Sequence, residues 1–487
     1  MRQPSRPYLG IICVVLLGLG IAFVVIPRLG DPVTFNKVSS PPATPEGAQS
    51  GGQSSARAFR GNVYHIVFDA YQSEAYRYFL DKAPESNQLP FTYYPNFRAN
   101  SSMTYFSLAE LFTGDFYTLD MSPEDWHNAA FQSRGMMEYL ANGGVRLHLY
   151  PYYPEFCYGG ASAQCKVASD LDKGLMSGVR ARQTVVDLWF LKLIPGSLKR
   201  ELNAWFGPKA EDVSDDDSFS DWDYGFSISN AILPSKAVRD SDKPYFSLQQ
   251  FMQLLDDEDS RPAMGQYVFV HAMLPHGPAV LDRECTYIGR SGGQAQTEQP
   301  QYLEQVQCAN KLATLLVNKL ETLGRLDDSL IIVQADHGYY WHPADLGVLH
   351  EYNPLNVSVP RVTHDTDDSS RWPSEMIETR ASALLLVKFP GQAAASRSDK
   401  PAQMIDIAPT ILRYFDIDPG PMRGIPIQDM PESPARDRFF FAANFIPALR
   451  SPALFSKYRY IEGKWKFEEN VVTPLTEILT LGPDRDK

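Results

Sequence analysis

The chain has 487 residues, 44% of them hydrophobic, so it can bury a full core in one large α/β domain or in two smaller ones. Its formal charge of −13 and the lack of a dense Lys/Arg stripe argue against nucleic acid as a partner, because a phosphate backbone is bound largely through cationic side chains. The acidic balance favours solubility instead. The composition therefore predicts an ordered protein that does not bind nucleic acid.

The first 30 residues have the pattern of a membrane anchor. Residues 8–26 carry no charge, and at ~1.5 Å per residue they span roughly 28 Å of bilayer. The stretch is longer than the apolar part of a signal peptide and no small-x-small cleavage site follows it, so we expect it to be retained. Arg2 and Arg6 precede it and only Arg28 closely follows, which predicts a cytoplasmic N-terminus. The expected protein is single-pass, with its remainder periplasmic or extracellular.

Residues 31–58 are rich in Pro, Ser, Gly and Gln, a composition typical of a flexible tether. A flexible chain of this length reaches about 30 Å from its anchor. That reach fits a substrate at or near a lipid surface.

The cysteines agree with an outward location. Cys157 and Cys165 lie on either side of a Gly-Gly pair, and Cys285 and Cys308 form a second pair nearby in sequence. Two local disulfides would fit an oxidising compartment, while free thiols or another pairing remain alternatives. No Cys/His spacing predicts a zinc knuckle.

The region after the tether alternates apolar runs with helical patterns. Continuous apolarity predicts strands that are covered on both faces, and hence helices on both sides of a largely parallel sheet. A helical pattern over residues 302–323 that closes at Gly324 predicts a crossover helix between two strands. The expected fold is a three-layer α/β/α sandwich whose strands include residues 63–68, 145–150, 267–273, 330–334 and 382–389.

Beyond residue 418 the sequence changes to short segments rich in Tyr and Phe, such as 437–442 and 457–467. These segments predict a small antiparallel appendix. We therefore expect a catalytic domain over residues 59–418 and a β-rich extension over 419–487 that packs on it.

Residues suited to metal binding follow two of the predicted strands. Asp69 ends one apolar run, and Asp336 and His337 end another, directly before Gly338. Carboxylate and imidazole together suit Mn, Zn or Mg. Asp69 alone could equally be an ordinary residue that caps a strand end. Thr104 could be the N-cap of a helix, although a helix N-terminus also favours an anion such as phosphate.

Two histidines follow a further predicted strand, at the same expected edge of the sheet. His276 lies between two prolines that fix its loop, and His271 precedes it. His276 is the better candidate to donate a proton to a leaving oxygen or to anchor a substrate. The alternative for either histidine is a purely structural role.

The order of these residues resembles the sulfatase-like branch of the alkaline phosphatase superfamily, over residues 62–415. In sulfatases a Cys, or sometimes a Ser, stands ten residues before the Gly that is Gly114 here, and is converted to formylglycine. Threonine cannot give formylglycine, so the resemblance disfavours sulfate-ester hydrolysis by that route. The matching segments are Asp69, Thr104-x-x-Ser107-x-x-x-Leu111-x-Thr113-Gly114, Pro275-His276-Gly277-Pro278, Asp336-His337-Gly338 and Asp406-Ile-Ala-Pro-Thr410.

Threonine at this place is similar to the membrane-anchored phosphoglycerol and phosphoethanolamine transferases of the same superfamily, where it is the nucleophile. Those transferases usually carry several membrane helices, whereas one is predicted here. The resemblance implies one divalent metal ion (Mn, Zn, Mg or Ca) held by Asp69, Thr104, Asp336 and His337. It also implies catalysis by Thr104 and His276, and substrate contacts from His271, Ser107 and His350.

The leading hypothesis is an outward-facing enzyme that transfers or cleaves a phospho-substituent on an envelope glycan or lipid. A second is a catalytically inactive relative that binds a glycan or serves as a scaffold for surface-polymer assembly. A third is a hydrolase of soluble phosphate esters, for which water suffices as the acceptor. The sequence names neither the donor, the acceptor nor the oligomeric state.

Overall fold

The computed structural model describes residues 61–82, 89–117, 123–168, 242–289, 299–339, 374–432, 436–444, 453–461 and 463–473, which all belong to one compact unit. The predicted anchor (1–30), the linker (31–58) and His350 lie outside the described residues. Within the described ranges, every helix is too short or too polar to cross a membrane. The anchor and the outward location stay predictions.

A mixed, mostly parallel sheet of eight strands forms the centre, in the order β4-β3-β5-β1-β6-β7-β2-β8. The strands from β4 to β6 in that order run parallel, whereas β7 is antiparallel to both β6 and β2. Every predicted apolar run forms a strand, so the predicted sheet is confirmed. The strands are β1 (Val63–Phe68), β2 (Thr92–Tyr93), β3 (Arg146–Tyr150), β4 (Ala163–Cys165), β5 (Gln266–Ala272), β6 (Leu330–Ala335), β7 (Leu385–Lys388) and β8 (Ser396–Arg397).

Helices cover both faces of this sheet, which confirms the three-layer sandwich. Successive side chains of β1 point to opposite faces: His65 contacts Phe112 of α2, and Phe68 stacks on Phe251 of α5. The helices are α1 (Ser73–Lys82), α2 (Thr104–Thr113), α3 (Pro123–Asn128), α4 (Met136–Asn142), α5 (Lys243–Asp257), α6 (Gln299–Thr322), α7 (Ser374–Ala381) and α8 (Ile407–Tyr414). The continuous apolar runs arise because β1, β5 and β6 are buried on both sides.

The predicted crossover helix is α6, and it ends as the sequence indicates. Gly324 takes a left-handed conformation with φ of 66°, and its N–H donates to the carbonyl of Glu321. Cys308 on this helix forms a disulfide with Cys285, and the other disulfide joins Cys157 to Cys165. Both local pairings are therefore confirmed.

The predicted antiparallel appendix is also present. It consists of β9 (Arg438–Asn444), β10 (Ala453–Ile461) and β11 (Lys464–Thr473), in the order β11-β10-β9. It packs on α7 and shares with it a small core formed by Met376, Ile377, Ala381, Phe440, Ala442, Tyr458 and Trp465. The domain boundary at residue 418 stays a prediction.

A buried ionic cluster lies near the amino end of β1. The carboxylate of Glu258 is fully buried and accepts hydrogen bonds from the Tyr64 hydroxyl at 2.5 Å, Arg261 at 2.6 Å and Arg325 at 2.7 Å. Buried charges of this kind are tolerated only when they are fully paired. The cluster therefore fixes the end of the sheet that lies opposite the strand C-termini.

We expect Glu258→Ala to lower the free energy of unfolding by about 3 kcal/mol, because it leaves two arginines without their shared carboxylate. Urea denaturation measures this change. Glu284→Ala, which removes an exposed carboxylate paired with Lys311, serves as the control and should change little. Equal losses in both variants would contradict a special contribution from the cluster.

Candidate functional site

The C-terminal ends of the central strands bring three metal-type side chains together. Asp69 directly follows β1, Asp336 directly follows β6, and His271 lies one residue before the end of β5. Because β1 lies between β5 and β6 and all three strands are parallel, their carboxyl ends share one edge. Donor atoms of the three residues lie within 4.8 Å of one another.

The carboxylate of Asp336 is fixed by backbone N–H groups. Its Oδ1 accepts from Ala70 at 3.0 Å and from His337 at 2.9 Å. Ala70 has an uncommon φ of 60°, and the turn that it forms is held by the Tyr302 hydroxyl, which donates to the Ala70 carbonyl and accepts from the Gln72 N–H. The other oxygen, Oδ2, is thereby left directed away from these donors.

Asp69 is completely buried beside histidines and the Thr104 hydroxyl. Its Oδ2 accepts from Thr104 at 3.3 Å and lies 3.6 Å from His271 Nε2. Burial alone would raise its pKa, but the neighbouring His276, His271 and His337 outweigh burial and hold the pKa of Asp69 well below its ordinary value. The group is therefore a carboxylate, the form that binds metal.

The ring of His337 presents a lone pair to the site. Its Nδ1 lies 3.0 Å from the carbonyl of Gly338, which can only accept, so Nδ1 carries the proton. Nε2 then lies 3.4 Å from both Thr104 Oγ1 and Asp336 Oδ2. Burial, and then the charge of Arg380, lower the pKa of His337, which favours the neutral ring.

Thr104 is the first residue of α2, and the N-cap position belongs to Met103, which has no capping side chain. The alternative role of Thr104 as an N-cap is therefore wrong. Its hydroxyl lies instead at the positive end of the helix, between Asp69 and His337. The structure thus brings together the four side chains for which metal binding was predicted: Asp69, Thr104, Asp336 and His337.

Gly338 is required by a close approach of the backbone. A Cβ at this position would lie 2.0 Å from the carbonyl oxygen of Thr379. The Gly338 N–H donates to the Arg380 carbonyl at 2.7 Å. The glycine after Asp336 and His337 therefore lets α7 pack directly against the turn that carries them.

Two residues expected to contact substrate are fully buried, and their substrate contacts stay predictions. Ser107 is fully buried and its hydroxyl donates to the Asp336 carbonyl at 2.7 Å, so it holds α2 against the end of β6. His271 is also fully buried, within the metal-type group. The sequence analysis included His271 in the predicted strand 267–273 but grouped it with His276 as a residue that follows the strand. In the structure His271 lies inside β5 and faces the same side as Asp69.

His276 lies on the loop after β5, half-buried, with its Nδ1 2.7 Å from the Gly277 carbonyl. Among the neighbouring charges, the charge of His276 lowers the pKa of Asp69 most, so His276 lies beside the site. Its role as a proton donor or substrate anchor stays a prediction. So does the predicted contact of His350.

The donor set fits a divalent cation. Within the described ranges, Asp69 Oδ1, Asp336 Oδ2 and both ring nitrogens of His271 are buried without a hydrogen-bond partner. Burying unpaired carboxylates costs several kcal/mol each, and a bound cation would offset that cost. A divalent metal ion is therefore the cofactor of this site. Imidazole nitrogen among the donors favours Mn²⁺ or Zn²⁺ over Ca²⁺, which prefers oxygen alone.

Some residues that build the site carry no motif that the sequence made visible. Ala70, Tyr302 and Arg380 all act through the backbone of the turns described above. Arg380 offered one signal, since it is a charged residue two positions before the predicted apolar run 382–389. Charged residues at such positions are seldom buried without a partner.

We expect His271→Gln to raise the dissociation constant for Mn²⁺ at least about tenfold, because it removes an imidazole from the donor group. Isothermal titration of the metal-free protein measures the constant. His148→Gln, a histidine on β3 bonded to Gln266, is the matched control and should keep the affinity. An unchanged Mn²⁺ affinity in His271→Gln, together with a raised KM, would instead support the substrate contact predicted from sequence.

Glu110 lies on the same helix as Thr104 and is fully buried. Its Oε1 accepts from the Tyr117 N–H at 3.0 Å, and burial raises the pKa of Glu110 to about 8. The folded state therefore holds a proton that the unfolded chain releases near pH 4.5. The stability that this proton contributes is complete below about pH 4.5 and is lost as the pH rises to about 8.

Glu110→Gln should abolish this part of the pH dependence, which amounts to at most about 1.4 kcal/mol per pH unit. Urea denaturation between about pH 5 and about pH 8 gives the two curves. The variant should gain stability over the natural protein as the pH rises. Glu321→Gln, an exposed change on α6, is the control. Parallel curves for Glu110→Gln and the natural protein would refute a protonated Glu110.

Comparisons with known proteins find several solved structures that are similar to this chain. The chain is similar to a phosphonate monoester hydrolase of Silicibacter pomeroyi (12% identity, TM-score 0.46, 85% of this chain and 88% of the other). It is also similar to the lipoteichoic acid synthase LtaP of Listeria monocytogenes (13%, 0.45, 87% and 88%) and to the lipooligosaccharide phosphoethanolamine transferase EptA of Neisseria meningitidis (12%, 0.42, 75% and 56%). No curated protein matches the chain. The sulfatase family model matches residues 62–417, and the chain therefore belongs to the sulfatase family, within the alkaline phosphatase superfamily.

Proposed function

We propose that the chain is a membrane-anchored enzyme that transfers or cleaves a phospho-substituent on an envelope glycan or lipid, with Thr104 as its nucleophile. The observation that carries this proposal is the position of the Thr104 hydroxyl, 3.3 Å from Asp69 and 3.4 Å from His337. A hydroxyl held against a metal-type donor group at a helix N-terminus is suited to attack on an anionic phosphoryl group.

The identity of this side chain decides between sulfate and phosphate chemistry. Threonine cannot be converted to formylglycine, so the sulfatase route through an aldehyde hydrate is closed to this chain. The alcohol itself is then the nucleophile, and phosphoryl transfer through an alcohol is established chemistry for metal-assisted sites. The proposal therefore names a phosphate ester rather than a sulfate ester as the substrate.

The residues divide the proposed reaction into two displacements. Thr104 Oγ1 attacks phosphorus, its O–P bond forms, and the bond from phosphorus to the leaving oxygen breaks. The Thr104 proton departs along the hydrogen bond to Asp69 Oδ2, and the leaving oxygen receives a proton from His276. A bound divalent metal would supply positive charge that lowers the pKa of the alcohol and offsets charge on the phosphoryl oxygens.

In the second displacement an acceptor hydroxyl, or water, attacks the phosphorus of phosphothreonine. The Thr104 O–P bond breaks, Oγ1 recovers its proton from Asp69, and the acceptor's proton passes to His276, which regenerates all three groups. An acceptor hydroxyl makes the reaction a transfer and water makes it a hydrolysis, so the same residues serve both. The predicted anchor, the short tether and the two disulfides support a substrate in the envelope.

Thr104→Ala should lower turnover of bis-p-nitrophenyl phosphate by about a thousandfold or more, because no other hydroxyl replaces the nucleophile. Thr104→Ser should keep measurable turnover. The full-length protein, loaded with Mn²⁺, is assayed by absorbance with this diester, with p-nitrophenyl phosphate and with p-nitrophenyl sulfate.

Thr113→Ala is the matched control, since Thr113 ends the same helix and its hydroxyl contacts backbone carbonyls, at 2.8 Å from that of Ala109, 3.3 Å from that of Glu110 and 3.2 Å from that of Asp115. It should retain diester turnover. Turnover of the sulfate ester that persists in Thr104→Ala would contradict the proposed mechanism. The inactive, glycan-binding alternative would be favoured if the natural protein bound Mn²⁺ but turned over none of the three substrates and formed no phosphothreonine from a phospholipid donor.

A further inference from the structure

Arg380, the next-to-last residue of α7, joins two backbone segments that are far apart in sequence. Its guanidinium donates from Nη1 to the Gly338 carbonyl at 3.0 Å and from Nη2 to the Ser102 carbonyl at 2.7 Å. The side chain is buried, with 9% relative exposure of the residue. A buried guanidinium that contacts two carbonyls holds both in fixed positions, because its planar fork has little freedom once bonded.

Both carbonyls belong to segments that carry the site. Gly338 follows Asp336 and His337 directly, and Ser102 lies two residues before Thr104. The first contact is reciprocal, since the Gly338 N–H donates to the carbonyl of Arg380 itself. The separation between the Thr104 hydroxyl and the His337 ring, 3.4 Å, therefore depends on what Arg380 holds in place.

The helix α7 also packs on the C-terminal sheet. Met376 and Ile377 pack in the small core with Phe440, Tyr458 and Trp465. Glu378 on the same helix accepts from Trp465 Nε1 at 2.7 Å and from Arg98 at 2.7 Å. Rotation or translation of α7 would break these contacts, so the C-terminal sheet fixes the helix from which Arg380 projects.

The C-terminal sheet also contacts the segment before Thr104 directly. The Phe441 N–H on β9 donates to the Asn100 carbonyl at 2.7 Å, and the Ser102 N–H donates to the Phe441 carbonyl at 3.2 Å. Ser102 is thus held on both sides, by β9 through its N–H and by Arg380 through its carbonyl. A segment pinned in this way has little freedom to change the position of Thr104.

We propose that Arg380 is a positioning residue that couples the C-terminal sheet to the metal-type donor group and sets the distance between Thr104 and His337. The C-terminal sheet is then part of the active-site framework rather than an independent appendix. Only the expected change in kcat rests on the proposed function, in which Thr104 is the nucleophile. The consequence for metal binding stands without that role, because His337 belongs to the donor set.

The test compares Arg380→Ala and Arg380→Lys with Arg261→Ala in the full-length protein. Arg261 is also a buried arginine, bonded to Glu258 in the cluster near the amino end of β1, so it is a control for loss of stability alone. Three quantities are measured: the melting temperature, the dissociation constant for Mn²⁺, and kcat and KM for diester turnover at a temperature where every variant is folded.

We expect Arg380→Ala to raise the Mn²⁺ dissociation constant by about 10- to 100-fold, because loss of a residue that supports metal ligands generally lowers metal affinity by this factor. We also expect it to lower kcat with little change in KM. Added guanidinium at millimolar concentration should restore part of both, whereas methylammonium should not, because only the planar ion reaches two carbonyls. Arg380→Lys should show a smaller loss of the same kind. Arg261→Ala should lose melting temperature only and show no rescue.

The proposal would be overturned if a folded Arg380→Lys or Arg380→Ala kept the Mn²⁺ affinity and kcat of the natural protein. It would also be overturned if Arg261→Ala lost Mn²⁺ affinity and kcat and guanidinium restored them. If Arg380→Ala does not fold, Arg380→Lys decides alone. Should the natural protein show no diester turnover while Arg380→Ala loses Mn²⁺ affinity and regains it with guanidinium, the proposed reaction is wrong and the positioning role stands.

Discussion

The structure depends above all on two carboxylates, Asp69 and Asp336, that are buried side by side at the C-terminal edge of adjacent parallel strands. Folding must remove both from water, and each keeps one oxygen without a protein donor. The surrounding histidines, the Ala70 N–H and the Thr104 hydroxyl offset only part of the repulsion. The fold therefore suits a bound cation, whose positive charge would neutralise the two buried carboxylates at this edge of the sheet.

Much of this arrangement was predictable from the sequence, because a residue that directly follows a parallel strand lies at the C-terminal edge of the sheet. Asp69 and Asp336 each follow a continuous apolar run, and parallel strands deliver such residues to one edge. Local signals were equally dependable: Gly324 ended α6, and neighbouring cysteines paired. These features depend on residues that are close in sequence or on a periodicity that any neighbouring strand must respect.

The remainder depends on contacts that no local pattern carries. His271 was expected to contact substrate, yet its place in β5 directs its side chain to the same face of the sheet as Asp69. The resemblance implied a substrate contact for Ser107, and the packing of α2 against the end of β6 also lets its hydroxyl donate to the Asp336 carbonyl. Arg380 and Trp465 joined the site only through the packing of α7 on the C-terminal sheet. Such roles follow from tertiary packing, which composition and periodicity do not specify.

The pairing of β9 with the segment before Thr104 also has a consequence for biosynthesis. Asn100 and Phe439 are bonded although 339 residues separate them, and β9 is among the last elements to leave the ribosome. The segment before Thr104 therefore lacks its contacts with β9 until nearly the whole chain has been made, although the other metal-binding residues have already been made. A chain truncated before β9 would carry all four predicted metal-binding residues and still lack the β9 contacts that hold the segment before Thr104.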